Sequence, residues 1–570
     1  MGAQTESLSD RLRVWLGGPR VFVLVALLAL LLGLPTLDVG LIGDDLGQQG
    51  FLRRALAGEV GGRWWDMFVL VDSDAARTTG MRTAGRMPWW VDPELHIAFF
   101  RPASAATHLL DQWAWPNSPA AMHLQSVLWY VLACVLATAL GRRLASSPAI
   151  GGLAGLTWCL MVSHASALGW LAQRNGLLAT VGGFACLLAH DRWRREGWRP
   201  GALLAPLALL AALLGAELGI CTLGGLIAYA LVLDRGQPGS RVLSLLPCVA
   251  VVVVWRLGYD ALGYGAHGSA AYLDPVRDPL GFLAALPERL TWLTALSFAP
   301  PLVIDIPIVL WSLLVAGLGC ALIGFVIVRR RSDEGRRAGA ALLGSLLGLI
   351  PLVASVPGER VLLLTSFGVA LAIAELLGAW SKARSLALRT VAGVVATVHL
   401  ALALIVFSFG SREFDQLAFE GEAPPRGIGL PNAGLERRGL VIVHARDHLS
   451  ASHLPLARVG HGLAAPNFTW ILHTGPDEPE IVRIDDRTLE LHDHEGWLRE
   501  PFAAYFRNVH TLPFEVGDEV RTLDFVAKVI EVEAGTPTRV QFRFRATLEH
   551  PSLVFAYWDG DDFATWTPVE

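Results

Sequence analysis

The sequence predicts an α-helical membrane domain of about eleven spans, followed by a small β-rich domain. The 570-residue chain is 53% hydrophobic and only 17% charged, whereas about a quarter of a typical globular domain is charged. Several stretches of about 18 or more residues carry almost no charge, and this length is enough to cross a bilayer. After residue 411 the composition becomes polar and acidic, with short alternating runs that are typical of strands.

The membrane domain is predicted to cover residues 1–410. Its clearest apolar runs are 21–37, 124–140, 308–328 and 386–409. The segment 287–306 is interrupted by Pro300, Pro301 and Asp305, so it is not counted as a span. From the apolar runs and the alternation of basic connections with neutral or acidic ones, we expect spans near 21–37, 122–140, 149–165, 167–190, 202–215, 218–233, 242–259, 307–328, 338–354, 360–379 and 388–410.

Short basic segments between these spans set the expected orientation. They are Arg142-Arg143, 192–195, Arg235 with Arg241, 329–337 and 382–389. Lys and Arg accumulate in cytoplasmic loops, so the N-terminus is predicted to be cytoplasmic and the C-terminal domain to be periplasmic or extracellular. Basic runs also bind nucleic acids, but each of these is short and adjoins an apolar span, so no nucleic-acid partner is predicted.

The cysteines and the N-terminal segment further narrow the class of membrane protein. All six cysteines lie within or beside apolar spans, so neither a disulfide framework nor a zinc site is indicated. Arg11, Arg13 and Arg20 precede the first apolar run, and no A-x-A-like cleavage site follows it. We interpret this segment as an uncleaved anchor.

Two polar parts of the chain are expected outside the membrane. A long exterior loop, 38–121, is rich in Trp, a residue that accumulates at membrane interfaces. Residues 411–436 are predicted to be a linker and 437–570 an exterior β-rich domain, which is long enough to have its own core.

The first candidate site is Gly43-Asp44-Asp45, directly after the first span. Two adjacent carboxylates near a membrane surface suit a general base with a neighbour that orients it or holds an ion. A divalent cation near Asp44 and Asp45 is compatible with this pattern. The alternative is a solvated helix cap, because Asp is common at that position.

Three further polar clusters follow at the exterior ends of spans. Arg101 precedes His108 and His123, and His164 precedes Arg174. An Arg within an apolar segment indicates a functional site, although Arg174 could instead pair with Glu217. The last cluster is Glu359-Arg360; Arg is the preferred bidentate ligand of phosphate, although Glu359 could simply neutralise it.

The order of these motifs resembles the GT-C superfamily of membrane glycosyltransferases. The resemblance is to bacterial relatives of protein O-mannosyltransferases and to tetratricopeptide-bearing transmembrane mannosyltransferases, and it covers roughly residues 20–380. It is carried by Asp44-Asp45, Phe100-Arg101-Pro102 with His108 and His123, His164, Trp170, Arg174, Leu177 to Ala179, Gly215-Ala216-Glu217 and Glu359-Arg360-Val361-Leu362. Ala216 replaces the usual Lys of the family, Leu362 to Leu364 replace its Tyr-containing run, and the tetratricopeptide repeats are absent.

The resemblance implies a hexosyltransferase-type enzyme that moves a sugar from a polyprenyl-phosphate carrier to a protein or glycan acceptor at the exterior face. It implies Asp44 as the general base, with Asp45 orienting the acceptor or holding an ion. It also implies that Arg174 and Arg360 meet the carrier phosphate. The other implied substrate-binding residues are Arg101, His108, His123, His164, Glu217 and Glu359.

The alternative is a non-catalytic membrane scaffold of the same fold, or a transporter. Intramembrane Arg and Glu also mark transport pathways, but the sequence has no evident internal repeat of the kind that many transporters carry. Geometry discriminates between the two, because catalysis requires Asp44 or Asp45 to face Arg174 and Arg360 in one exterior cavity.

Overall fold

The computed structural model describes residues 8–298, 308–380, 385–407 and 426–568. Pro300, Pro301, Asp305, Lys382 and most of the predicted linker, 411–425, lie outside the described residues. The chain forms two compact units. The first comprises Met1–Phe68, Phe99–Gly263 and Phe282–Phe414, and the second comprises Val69–Ala98, Tyr264–Gly281 and Asp415–Glu570.

Helices dominate the first unit. Among the described residues of both units, the α-helices in chain order are α1 Leu8–Gly17, α2 Arg20–Gly33, α3 Asp44–Leu56, α4 Ala75–Thr83, α5 Pro102–Ala114, α6 Pro119–Leu144, α7 Pro148–Cys159, α8 Ala165–Gly169, α9 Arg174–Glu196, α10 Gly201–Gly215, α11 Thr222–Ala228, α12 Pro238–Ala261, α13 Pro279–Phe298, α14 Ile308–Arg329, α15 Asp333–Leu349, α16 Phe367–Trp380, α17 Leu386–Ala396, α18 His448–Gly460 and α19 Pro501–Ala504. Short 3₁₀ turns at Val162–His164, Leu171–Gln173, Glu217–Cys221 and Glu359–Val361 interrupt the helices near the predicted motifs.

Within the described residues, six helices are long and apolar enough to cross a membrane, or seven if the bent pair Pro148–Cys159 and Val162–Gly169 forms one span. The predicted count of about eleven spans is not confirmed. Three of the other predicted spans are apolar helices of 10–17 residues, Gly201–Gly215, Glu217–Leu233 and Phe367–Trp380. The span predicted at 167–190 instead begins at Arg174, after two breaks in the helix.

The spans have one face against protein and one face suited to lipid. On α2, Val25 and Ala29 are buried, while Leu27 and Leu31 are exposed. Small residues allow close approach of neighbouring helices. A Cβ atom on Gly151 of α7 would lie 2.4 Å from the Cα atom of Arg142 on α6, so only glycine permits this crossing.

The basic segments predicted to be cytoplasmic meet at one end of the first unit. Arg142 donates to the carbonyl oxygens of Leu16 and Gly18 at 3.3 and 3.2 Å, and Arg195 donates to that of Arg143 at 2.9 Å. Ion pairs complete this end: Arg143–Glu196 at 2.6 Å, Arg194–Asp234 at 2.7 Å and Arg235–Asp333 at 3.1 Å. Four separate basic segments therefore lie at the same end, as alternating spans require. The cytoplasmic assignment of this end stays a prediction.

Strands dominate the second unit, as predicted for the C-terminal region. They are β1 Val69–Val71, β2 His96–Ala98, β3 Gly265–His267, β4 Gly439–His444, β5 Phe468–Ile471, β6 Glu480–Arg483, β7 Thr488–His492, β8 Glu519–Arg521, β9 Phe525–Glu533, β10 Thr536–Phe544, β11 Leu553–Trp558 and β12 Phe563–Thr565. They form sheets in the orders β1-β2-β3, β6-β7-β10-β9-β8 and β12-β11-β4-β5. All six residues of β4 are buried, because it lies between two parallel neighbours, β5 and β11.

This unit contains more of the chain than the predicted domain 437–570. Two segments that were predicted to belong to the membrane domain, Val69–Ala98 and Tyr264–Gly281, are part of this unit. Trp89 and Trp90 were expected at a membrane interface as part of the Trp-rich loop, but both are buried in the core of this unit. The Trp89 indole donates to the Leu472 carbonyl oxygen at 3.0 Å. In contrast, the Trp113 side chain is exposed, as an interfacial position requires.

Candidate active site

Gly43 fixes the geometry of the acidic pair. It precedes α3 with a φ of 51°, a conformation that glycine adopts readily and other residues rarely. A Cβ atom at this position would lie 3.3 Å from the ring of Trp170. The Gly-Asp-Asp motif therefore contacts the segment that leads into Arg174, although the two are distant in the sequence.

Asp45 is buried, with 1% of its side chain exposed. One carboxylate oxygen accepts from the Ile42 N–H at 3.1 Å, and the other accepts from the Ala172 N–H at 2.8 Å. Burial raises the pKa of Asp45 to about 7, although these two hydrogen bonds oppose the shift. Both oxygens are thus engaged by backbone groups, and the solvated-cap interpretation does not hold for Asp45.

Asp44 differs from its neighbour because its side chain is exposed. Loss of surrounding water nevertheless raises the pKa of Asp44, and the positive charges of Arg360 and Arg101 oppose that rise. Asp44 is therefore accessible and lies within reach of the charges of Arg360 and Arg101. Adjacent helical residues point about 100° apart, so Asp44 and the buried Asp45 face different surroundings.

Arg174 and Asp111 form an ion pair in which neither side chain has any exposed surface. The Arg174 guanidinium also donates from Nε to the Ser126 hydroxyl at 2.9 Å and from Nη2 to the Met122 carbonyl oxygen at 2.7 Å. The Gln125 side chain accepts a further bond from Nη1. Each nitrogen of Arg174 therefore has a protein acceptor, and the expected contact between Arg174 and a carrier phosphate would require these bonds to break.

Arg101 pairs with Glu217. Its Nε atom lies 2.7 Å from a Glu217 carboxylate oxygen, and both side chains are partly buried. The Tyr259 hydroxyl donates to the other oxygen at 3.3 Å. The Arg101 guanidinium also stacks over the Phe99 ring at 4.3 Å. The counterion of Glu217 is thus Arg101. The alternative interpretation, in which Arg174 pairs with Glu217, is not what the structure has.

The three predicted histidines are buried and differ in their contacts. His123 lies 2.8 Å from the Gly40 carbonyl oxygen and 3.3 Å from that of Leu168. His164 contacts the Tyr130 hydroxyl at 3.2 Å and the Ser366 hydroxyl at 3.0 Å. Among the described residues, no partner is found for either ring nitrogen of His108. His123 and His164 therefore connect neighbouring segments through hydrogen bonds, whereas His108 has unused hydrogen-bonding capacity.

The Glu359-Arg360 turn is held by the segment that follows it. The Trp158 indole donates to the Leu363 carbonyl oxygen at 3.1 Å, and a Cβ atom on Gly176 would lie 3.2 Å from the Leu363 side chain. Arg360 is partly exposed, and within the described part of the chain it makes no hydrogen bond or ion pair. Its positive charge nevertheless reaches Asp44, where it opposes the rise in pKa.

The predicted clusters therefore lie at one end of the first unit. The contacts that join them are those of Asp45 with Ala172, of Arg101 with Glu217, and of Gly176 with the Arg360 turn. Sequence reasoning missed Asp111, Ser126 and Gln125, which surround Arg174, and Tyr259, which binds Glu217. One signal was available for Asp111: it lies three residues after His108 on a helix, so the two share a face, and a buried Arg needs a counterion.

A metal at the acidic pair gains no further ligand from the described residues. Among those residues, the group of His, Cys, Asp or Glu side chains that could hold an ion is Glu480, His492 and His494, with ligand atoms within 4.8 Å of one another. Glu480 and His492 are opposite each other on β6 and β7 of the second unit. A cation near Asp44 and Asp45 stays a prediction.

Comparisons with known proteins give structural similarity alone. No protein-family model and no curated protein matches the sequence. The chain is similar to ArnT from Cupriavidus metallidurans bound to undecaprenyl phosphate, with 16% identity, a TM-score of 0.41 and coverage of 77% of this chain and 84% of that one. For the apo state of the same protein the identity is 13%, the TM-score 0.37 and the coverage 78% and 88%.

Proposed function

We propose that this protein is a membrane glycosyltransferase that moves a sugar from a polyprenyl-phosphate carrier to an acceptor hydroxyl. The observation that carries the proposal is that Asp44 is an accessible carboxylate within the field of Arg360 and Arg101, and we infer a recess for the substrate there. A base and fixed positive charge at one place are what this reaction requires.

The proposed step balances as a direct displacement. The acceptor hydroxyl oxygen forms a bond to the anomeric carbon of the sugar while the bond from that carbon to the carrier phosphate oxygen breaks. The hydroxyl proton passes to Asp44, and the electron pair leaves with the phosphate. Negative charge thus develops on the carrier phosphate, and Arg360 is the cation that we assign to it.

Arg360 suits this role better than Arg174 does. Guanidinium groups bind phosphate through paired N–H donors, and Arg360 makes no hydrogen bond or ion pair within the described part of the chain. Arg101 contributes charge while Glu217 holds it in place at 2.7 Å. We assign Arg174 a positioning role, because its bonds to Ser126 and Met122 connect α9 to α6.

Asp45 is also assigned a positioning role. Its carboxylate joins the turn before α3 to the backbone of Ala172, so it fixes where Asp44 stands relative to the segment that precedes α9. His108, whose ring nitrogens have no described partner, is the histidine that we assign to substrate binding. The location of the recess at the exterior face follows from the predicted topology.

The test compares purified Asp44→Asn with Asp38→Asn in transfer and in carrier binding. Asp38 is also exposed and lies shortly before Asp44, so its variant controls for loss of a negative charge near the end of the first span. We expect Asp44→Asn to bind polyprenyl phosphate but not to transfer a sugar from a panel of polyprenyl-linked donors. Full transfer by Asp44→Asn would contradict the proposal, and carrier binding without transfer by the unmodified protein would favour the scaffold or transporter alternative.

A further inference from the structure

A basic cavity of about 260 Å³ lies at the end of the first unit where the predicted cytoplasmic segments meet. The ends of α9 and α15 and the turn of π-helix at Tyr229–Leu233 enclose it. Five arginines line it: Arg194, Arg195, Arg235, Arg336 and Arg337. Lys and Arg concentrate in cytoplasmic loops for reasons of topology alone, but that tendency does not require arginines from three separate segments to converge on one cavity.

The acidic residues of the cavity leave positive charge in excess. Asp234 and Asp333 are the two carboxylates in its lining. Asp234 pairs with Arg194 at 2.7 Å, and Asp333 pairs with Arg235 at 3.1 Å. Arg337 is half-buried and makes no hydrogen bond or ion pair in the described part of the chain. Arg195 and Arg336 are in long ion pairs, at 3.9 Å from Asp191 and Asp333. Arg337 is therefore the cavity's unpaired guanidinium among the described residues, and guanidinium donors match the oxygens of a phosphate group.

A small, mostly apolar groove of about 40 Å³ adjoins the basic cavity. The two share Tyr229 and Leu233. The rest of the groove is lined by apolar side chains, such as Leu144, Leu187 and Phe367, and by His190 and Asp191. A soluble phosphate would make no use of this surface. A phosphate-bearing head group with a hydrocarbon chain would use both parts, because the arginines would meet the phosphate while the chain lies against the apolar side chains.

We propose that this end of the protein binds an anionic, phosphate-bearing membrane lipid, with the head group among Arg336, Arg337 and Arg195 and the chain in the groove. The site is separate from the recess at Asp44. The 23-residue helix α9 connects the two, with Arg174 at one end and Arg194 near the other, and a helix of about 20 residues spans roughly 30 Å. The proposal does not depend on the proposed function.

Native mass spectrometry of the full chain in detergent tests this proposal. The probes are phosphatidylglycerol, phosphatidylcholine and glycerol phosphate, which is the former head group without its chains. The variant Arg336→Gln/Arg337→Gln is compared with Arg331→Gln, because Arg331 is exposed in the same segment and does not line the cavity. We expect the unmodified protein and Arg331→Gln to retain phosphatidylglycerol in preference to phosphatidylcholine, and the double variant to lose about tenfold or more in retention.

Two results would overturn the proposal. Equal retention of phosphatidylglycerol by the double variant and by Arg331→Gln would show that the arginines of the cavity do not bind lipid. Binding of glycerol phosphate as tightly as the intact lipid would assign the cavity to a soluble phosphate compound instead. Thermal unfolding verifies that each variant is folded. If the double variant does not fold, Arg337→Gln replaces it, since that side chain has no described partner to lose.

Discussion

The carboxylate of Asp45 accepts a hydrogen bond from the backbone N–H of Ala172 at 2.8 Å. This bond joins the acidic pair after the first span to the segment that leads into Arg174. Together with the close approach of Gly43 to Trp170, it holds two motifs that are distant in the sequence next to each other. The same arrangement leaves Asp44 accessible, so the two adjacent carboxylates lie in different environments.

Replacing Asp44 with Asn is expected to lower the transfer rate by about two to four orders of magnitude, the usual contribution of a positioned base. Carrier binding and thermal stability should change little, because the Asp44 side chain is exposed. Desolvation raises the pKa of Asp44 above its ordinary value of 3.8, so the rate should increase with pH through a pKa above that value as the base loses its proton. A transfer rate that does not change as pH rises above about 3.8 would contradict the assignment of Asp44 as the base.

Asp45 should make stability depend on pH. Its pKa is about 7 in the folded protein, against an ordinary value of 3.8 for an aspartate that is open to water. The folded protein therefore holds a proton that the unfolded chain has lost, and this contribution is present below about pH 4 and is lost as pH rises through about 7. The contribution of Asp45 to the free energy of unfolding is at most on the order of 4 kcal/mol.

The measurement for Asp45 is thermal unfolding in detergent between pH 5 and pH 8. We expect the unmodified protein to lose stability relative to Asp45→Asn, which cannot ionise, as pH rises. Buried histidines such as His444 and His448, whose pKa values are lowered by burial, act in the opposite direction but are common to both proteins. Asp38→Asn is the control and should retain the pH dependence of the unmodified protein. An identical pH dependence in Asp45→Asn would mean that Asp45 is ionised throughout this range.

Much of this arrangement follows from the sequence, because apolar length and charge placement are local properties. The alternation of basic segments predicted which helix ends lie together, and the hydrogen bonds from Arg142 to Leu16 and from Arg195 to Arg143 agree. The count of about eleven spans was not confirmed, because breaks at residues 161, 170 and 216 leave several helices short. Length alone does not anticipate a turn whose hydrogen bonds are supplied by other segments.

Tertiary pairing was the part that sequence could not provide. Arg174 has two candidate counterions in the chain, and only the packing of α5 against α9 selects Asp111 over Glu217. Likewise, Trp89 and Trp90 belong to the core of the second unit, although a Trp-rich exterior loop is also what a membrane interface favours. Composition does not distinguish these two environments.

Replacing Arg360 with Lys should weaken carrier binding by about 1.5–3 kcal/mol, the contribution of a hydrogen bond to a charged group. Lys keeps the positive charge but loses the planar pair of donors. The dissociation constant of polyprenyl phosphate is the measurement, and Arg331→Lys is the control. Equal carrier affinity in Arg360→Lys and the unmodified protein would reassign Arg360 to a structural role.

Arg174→Lys should instead lower the stability of the protein, because each nitrogen of the Arg174 guanidinium bonds to protein.

The predicted orientation can be tested by cysteine labelling at exposed positions. In the Trp-rich loop, Trp89 is buried and a cysteine there would not react from either side, whereas Arg86 of the same segment is exposed. The background is Cys320→Ser, because Cys320 is the exposed native cysteine among the six. We expect Arg86→Cys to react from outside intact cells and Arg330→Cys to react after lysis. The reverse pattern would invert the topology.

Breaking the buried ion pair from one side is expected to cost more than removing both partners. Asp111→Asn leaves the Arg174 guanidinium buried and uncompensated, which is expected to destabilise the protein by about 3–5 kcal/mol. The double variant Asp111→Leu/Arg174→Met removes both charges from a site with no exposed surface, so it should unfold at a higher temperature than Asp111→Asn. Carrier binding by the folded double variant then separates the two roles of Arg174. Retained binding would confirm a positioning role, whereas binding lost in a stable double variant would restore Arg174 as a direct ligand of the phosphate.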